Sequence, residues 1–336
     1  MALLQAEGSR SALVYIEENT AWGTTPSSSA TWTGLDFNSE SFGIDINSFE
    51  SASIRSDRMT KALLRGNRNP GGDFTFELGP NSHNLLIRHL LGSEITQTGS
   101  APYVHEITGN SSLPAGGLSI VKAFTDIPSY LTYSGGRVDS CSFDFPQEGI
   151  VTGSASMVYK AEAAATAVKP YTNPLTYPSG DPYESVNTEI YVQDWKSSGS
   201  YTWTSSEEFG VGTAGRFAIT NGLDANSFVL GSNERYSIPA GRRRIEGSVN
   251  LLLKDFTFYN DYIGGTAKAI RVKMVGGSFS HDWVFPNVRY SGSKPTPPIE
   301  SEQGIRYDMP WRAIRHDTLG YDVICTITSD ETITKY

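Results

Sequence analysis

The chain has 336 residues, more than one average domain, with a formal net charge of −9, 19% charged residues and 38% hydrophobic ones. That acidic balance excludes a dedicated duplex-DNA binder, which needs a positive surface to hold phosphates. With 33 Gly, 17 Tyr and many Ser and Thr, the composition predicts strands and turns rather than long helices, so the expected fold class is mainly β.

Taken in chain order, residues 1–34 read as one strand, Ala12 to Ile16, and an irregular arm. The opening Met1 to Gly8 lacks a basic start and a long apolar run, so no signal peptide is expected, and no stretch is apolar enough to span a bilayer. Phe37, Phe42, Ile44 and Ile46 alternate in part before a polar, basic loop from Ser53 to Arg68. Phe74, Phe76 and Leu78 then alternate with Asp73, Thr75 and Glu77, a period of two that turns one strand face into a core. After Gly79-Pro80 a short amphipathic helix is predicted, with Ser82 as N-cap, Leu86 and Leu90 one turn apart and Gly92 as the stop. Strands follow at Leu118 to Lys122 and Tyr130 to Tyr133, with Ser134-Gly135-Gly136 as a hairpin turn. Cys141, Phe143 and Phe145 alternate, and Ala155, Met157 and Tyr159 end this part.

Residues 161–215 change from Ala-rich to Pro- and Tyr-rich and read as a long connection with one strand at Glu189 to Val192. Residues 216–336 bring strands near Phe217 to Ile219 and Val249 to Leu253, and Asp255 to Gly264 stands where the first helix stood. Ala269 to Lys273 resembles Leu118 to Lys122. An exposed loop at Pro295 to Pro298 precedes the last strands, Ile305 to Tyr307 and Asp322 to Thr328.

One pattern is written twice. Gly66-x-Arg68-x-x-x-Gly72 leads into Phe74, Phe76 and Leu78, and Gly241-x-Arg243-x-x-x-Gly247 leads into Val249, Leu251 and Leu253, at a constant offset of 175 residues. The expectation is two tandem units of β-sandwich or barrel type, 35–160 and 216–336, each with a short flanking helix or turn.

A search for chemistry returns little. His83, His89, His105, His281 and His316 are scattered without metal-ligand spacing and are expected at surfaces or interfaces. His281-Asp282 and His316-Asp317 are adjacent on strands and so point to opposite faces, which argues against a dyad. There is no nucleophile elbow, Walker loop, dinucleotide fingerprint or calcium loop, so no catalytic, cofactor or metal site is expected. Asn110-Ser111-Ser112 fits a glycosylation sequon and reads as a turn; Cys141 and Cys325, among alternating apolar residues, read as buried thiols. The basic loop carrying Arg55, Arg58, Lys61, Arg65 and Arg68, with Arg242 to Arg244 as its later partner, reads as solvated or as meeting acidic surfaces of neighbouring copies, with nucleic-acid binding third because no aromatic interleaving accompanies the charge.

In combination, Tyr15 to Pro26, Ile54 to Arg58, the Gly66 to Leu78 strand with its following helix, Ser134 to Gly136 and the Gly241 to Leu253 echo resemble the tail tube proteins of long-tailed, siphovirus-type bacteriophages, of the larger duplicated kind. The resemblance covers most of residues 10–330. It implies a virion structural protein, made in the host cytoplasm and kept in the virion tail, that self-assembles into stacked rings through which DNA passes. It implies that Ser53 to Arg68 reaches the adjacent ring, and partners in the tape measure, tail terminator and tail tip proteins. If a ring holds six units, a duplicated chain closes it as a trimer with pseudo-six-fold symmetry, hexameric rings being second; an acidic lumen would repel phosphates weakly and uniformly. Two rivals are a tail-completion or baseplate ring protein and a carbohydrate-binding pair of β-sandwiches using Trp22, Trp32, Trp203 and Trp283 as exposed stacking platforms.

Overall fold

The computed structural model describes residues 6–18, 21–92, 95–109, 112–172, 175–199, 201–204, 212–292 and 305–330. Asn110, Ser111 and the Pro295 to Pro298 loop lie outside them. The first strands are β1 (Ser11–Glu17), β2 (Thr33–Leu35), β3 (Ser39–Glu40), β4 (Gly43–Glu50) and β5 (Leu63–Glu77), followed by helix α1 (Asn84–Leu91). Then come β6 (Ile95–Thr98), β7 (Tyr103–Thr108), β8 (Leu118–Phe124), β9 (Ser129–Phe145), β10 (Thr152–Val158) and β11 (Ala161–Glu162). The later part holds β12 (Thr188–Asp194), β13 (Gly212–Thr220), β14 (Arg244–Leu252), α2 (Thr257–Gly264), β15 (Ala267–Gly276), β16 (Phe279–Tyr290), β17 (Arg306–Ala313) and β18 (Ile324–Ser329). The fold is mainly β, as the composition required, and the paired strands run antiparallel.

Strand β9 organises the molecule. The hairpin turn expected at Ser134 to Gly136 is absent: these residues lie inside one 17-residue strand. Residues 129–136 pair with β8 in a sheet ordered β2–β1–β8–β9–β11. Residues 137–145 pair with β10 and β13 in a second sheet. Gly135 takes a left-handed φ of 66° where the strand passes from one sheet to the other, and a side chain there would crowd Lys160. The glycines therefore serve a bend inside a strand rather than a turn between strands.

The second sheet runs β4–β5–β10–β9–β13–β14–β17, and the end of β17 meets β16. One succession of neighbours occurs twice, as β4–β5–β10–β9–β8–β1 and as β13–β14–β17–β16–β15–β12. In both, a helix follows the second strand. The pair β9–β13 joins the two successions, with Phe143 opposite Phe217 and Cys141 opposite Ile219.

Alternation fills one core across that joint. Phe74, Phe76, Cys141, Phe143, Phe217, Val249 and Trp311 all point inward and are buried, each large side chain adding about 2 kcal/mol on leaving water. Phe143 lies 5.0 Å from Phe217 and 5.1 Å from Trp283, so both halves share the cluster. A smaller cluster on the other face of β1 and β8 is closed by Trp32 and by Tyr171 from the long connection.

Three local expectations are corrected. Ser82 does not cap α1; its Oγ accepts from Gly79 N–H at 2.7 Å and donates to Gly79 O, closing the preceding turn, while left-handed His83 enters the helix. Helix α1 is buried nearly all round rather than amphipathic, because Arg88 Nη1 donates to Glu17 Oε2 at 2.7 Å and His89 Nε2 lies 3.3 Å from Glu17 Oε1. Helix α2 keeps no residue buried. The stretch read as loop from Ser53 to Arg68 is loop only to Ala62, since Leu63 to Arg68 belong to β5. Both cysteines are free and buried, as expected.

Candidate functional site

From β5 to β17 each strand of the second sheet has a sealed face, and the same alternation gives it a wet one; β4 at the edge has no buried residue. Residue registers set the wet side chains in three rows. One row runs Asp73, Ser156, Ser140, Thr220, Arg244. The next runs Thr75, Ser154, Ser142, Ala218, Glu246, Arg312, and the third runs Glu77, Thr152, Asp144, Arg216, Ser248, Pro310. None of these residues is buried. Small hydroxyl side chains dominate from β10 to β9, so the surface there is polar, flat and short-armed.

The second feature is an edge. Strand β13 has β14 on one side and β9 on the other, whereas β4, in the corresponding place, pairs with β5 alone along Gly43 to Glu50 among the described residues. An unpaired strand edge offers backbone donors and acceptors to another strand. Ile46 and Phe49 are exposed beside it, and the arm continues into the loop 51–62, where Ile54 is 98% exposed and Met59 74%.

The residues singled out by sequence separate into three places. Arg55, Arg58, Lys61 and Arg65 are exposed on that arm, and Arg68 is half-buried in β5 opposite Ile46. Gly66 lies under the Phe49 ring, and Gly72 lies against the backbone of Ser41 and Phe42. Gly247 lies under Trp311, and Gly241 donates to Gly222 O at 3.0 Å. Arg243 is internal: it holds Asp322 with two bonds and the end of α1 with a third. The arginine of the twice-written spacing is thus half-buried within a strand at Arg68 and held in a structural ion pair at Arg243. Sequence reasoning missed Arg216 and Arg312, whose signal was only their alternation with Phe217 and Trp311.

The histidines are corrected: all five are buried rather than at surfaces. Asn84 Oδ1 accepts from His281 Nε2–H at 2.9 Å, which leaves Nδ1 to accept from the Tyr183 hydroxyl at 2.9 Å. Burial, with His83 nearby, pushes His281 down to about 3, and burial pushes His83 down to about 4, so both rings are neutral fixtures of the core. Of the four tryptophans expected as exposed platforms, Trp32 and Trp283 are fully buried, and Trp22 and Trp203 are half-buried. Trp22 is flanked by Lys160 and Arg137, and Trp203 stacks on Tyr201.

A long antiparallel sheet with one sealed face, one wet face and, among the described residues, an unpaired edge makes this a mainly β protein. The family described as phage tail tube protein matches residues 8–313, and the chain belongs to that family. No curated protein matches the chain. The family is one of structural proteins, not of enzymes, and it places the chain in the virion tail, associating with itself. Among the described residues no helix is long and apolar enough to cross a membrane.

Proposed function

We propose that copies of the chain close into rings, that the rings stack into the hollow tail tube of a long-tailed phage, and that DNA passes through it to the host. The observation that carries this reading is the β9–β13 seam. It joins two successions of strands edge to edge inside one chain, and β4 offers a second chain the same kind of edge that β13 offers β9. Repeating the seam between chains extends the sheet until it closes on itself, which removes every open edge.

On this reading residues 35–160 and 216–336 are tandem tube units, 1–34 are an arm and 161–215 a connection. Three chains close a ring of pseudo-six-fold symmetry, and the wet sheet face lines the channel. The 51–62 loop with Arg55, Arg58 and Lys61, and the arm residues Arg65 and Arg68, reach the next ring. Tape measure, terminator and tip proteins meet the tube inside and at its ends. Negative-stain electron microscopy at rising concentration tests the reading. Hollow striated tubes with three-fold end views are expected; single closed rings under every condition would instead favour a completion or baseplate ring.

A further inference from the structure

The wet face is not uniform. Its rows across β5, β10 and β9 carry Asp73, Glu77 and Asp144 and otherwise only Ser and Thr. Across β13, β14 and β17 the three rows carry Arg216, Arg244 and Arg312 against Glu246, and the next register, Asn250 opposite Asp308, adds a second carboxylate at the edge of this half. Arg244 Nε reaches Glu246 Oε1 at 2.7 Å and Arg312 Nε lies 4.0 Å from the same oxygen, so one acid serves two arginines. Arg216 is exposed and sits directly opposite Asp144, on the boundary between the halves. The three arginines line one open depression of about 600 Å³ together with the carboxylates of Asp144 and Glu246 and the hydroxyls of Ser142, Ser248 and Ser291.

We infer that this face has two electrostatic sectors, an acidic one from β5 to β9 that repels nucleic-acid phosphates and an arginine sector, Arg216, Arg244 and Arg312, that engages them. The inference rests on the tube reading, in which this face meets DNA, and it replaces a uniformly acidic lumen with alternating sectors. Arginine forks suit phosphate oxygens, and the three arginines outnumber the two acids that line the depression with them, Asp144 and Glu246, so one positive charge remains for a ligand. On the acidic half, carboxylates set among hydroxyl groups leave a passing duplex nothing cationic to grip. A duplex in the channel is held lightly on some sides and pushed from the others, which centres it without strong adhesion.

The test uses the full chain kept unassembled at low concentration, with a labelled DNA duplex of about 20 base pairs and fluorescence anisotropy. Wild type is expected to bind at about 50 mM salt and to lose affinity about 10- to 40-fold by about 200 mM, the slope of two or three phosphate contacts. The variant carrying Arg216→Ser, Arg244→Ser and Arg312→Ser loses both the affinity and the slope. The opposite variant, Asp73→Ser, Glu77→Ser and Asp144→Ser, binds more tightly than wild type. All six positions lie outside the core, and thermal unfolding checks that both variants fold. Binding that the arginine variant retains, or that only substitution of Arg55, Arg58 and Lys61 abolishes, overturns the assignment, as does an acid-free variant no tighter than wild type. Tubes that form from a chain without arginine-dependent binding sink this inference alone; a chain that binds as expected and never forms tubes sinks the tube reading.

Discussion

Arg243 grips Asp322 with a two-pronged ion pair, Nε to Oδ2 at 3.0 Å and Nη2 to Oδ1 at 2.7 Å, and its remaining Nη1 donates to Leu91 O at 2.8 Å. One side chain thereby ties the start of β14 to the approach of β18 and to the C-terminal end of α1, where backbone carbonyls lack helical partners. Both partners are less than one-fifth exposed. Arg243→Ala is expected to lower stability by about 3 kcal/mol, since it strands a largely buried carboxylate. Arg243→Lys recovers only part, because an ammonium cannot hold two carboxylate oxygens and a carbonyl in one plane. Urea unfolding of the three proteins checks the order.

His281 and His83 predict an acid-sensitive fold. Their folded values, about 3 and about 4, lie below the ordinary histidine value of 6.5, so both stay neutral while an unfolded chain would take up protons. Above the ordinary value neither state is protonated and stability is flat with respect to these groups. As pH falls from there towards the folded values, the unfolded state gains protons first and stability drops, by up to about 1.4 kcal/mol per pH unit for each histidine. The urea midpoint measured between pH 8 and pH 4 should bend downward near 6.5, and His281→Gln should make the descent shallower. An identical slope in that variant would remove His281 from the account.

Gly72 and Gly247 occupy the same place in the twice-written pattern and resist substitution for different reasons. Gly72 has φ 150°, and a Cβ there would lie 2.7 Å from Ser41 O and from Phe42 Cα, which are backbone atoms with no room to move. At Gly247 an added Cβ would overlap the Trp311 ring and lie 2.8 Å from Arg216 O. Gly72→Ala is expected to cost about 1–3 kcal/mol from backbone strain together with the added clash, and Gly247→Ala about 1–3 kcal/mol as Trp311 is displaced. Tryptophan fluorescence separates them: the spectrum shifts for Gly247→Ala and stays close to wild type for folded Gly72→Ala.

Much of this was legible in the chain itself. Alternation at Phe74, Phe76 and Leu78 and at Cys141, Phe143 and Phe145 named the sealed face, and by subtraction it named Asp73, Thr75, Glu77, Ser142 and Asp144 as the wet one. Period-two reading cannot tell which strands lie side by side, so the division into an acidic and an arginine half appeared only with the registers that set Asp144 against Arg216 and Arg216 against Ser248. Gly135 was misread because a left-handed glycine marks a bend as readily as a turn. The histidines were misplaced for a longer-range reason: the partners of His281 are Tyr183 and Asn84, 98 and 197 residues away, and no local window contains them.

The β4 edge gives an assembly prediction that leaves the subunit alone. Ile46 and Phe49 flank the edge and are only partly covered, 39% and 59% exposed, so replacing both by Lys trims apolar surface outside the core and sets charge where a second strand would pair. The double variant should melt close to wild type and sediment as a monomer at concentrations where wild type forms tubes. Tubes of ordinary length from this variant would rule the edge out as a ring contact.

Stacking of rings is expected to respond to a different set of charges. Arg58 sits on the exposed 51–62 loop and Arg65 at the adjoining end of β5 opposite Ser48, so neither contributes to the core of its own chain. The chain as a whole is acidic at −9, and a basic loop projecting from an acidic molecule is attracted to the body of another copy. Arg58→Glu with Arg65→Glu turns that attraction into repulsion, while exposed substitutions of this kind shift subunit stability by no more than about 0.5 kcal/mol. The expected outcome is an unchanged melting temperature, intact single rings, and a several-fold rise in the protein concentration needed for tubes. Raising salt should weaken stacking of wild type in the same direction, because screening acts on exposed pairs. Electron microscopy across a concentration series reads both effects, and tubes of unaltered length and threshold in the double variant would free this loop from any part in stacking.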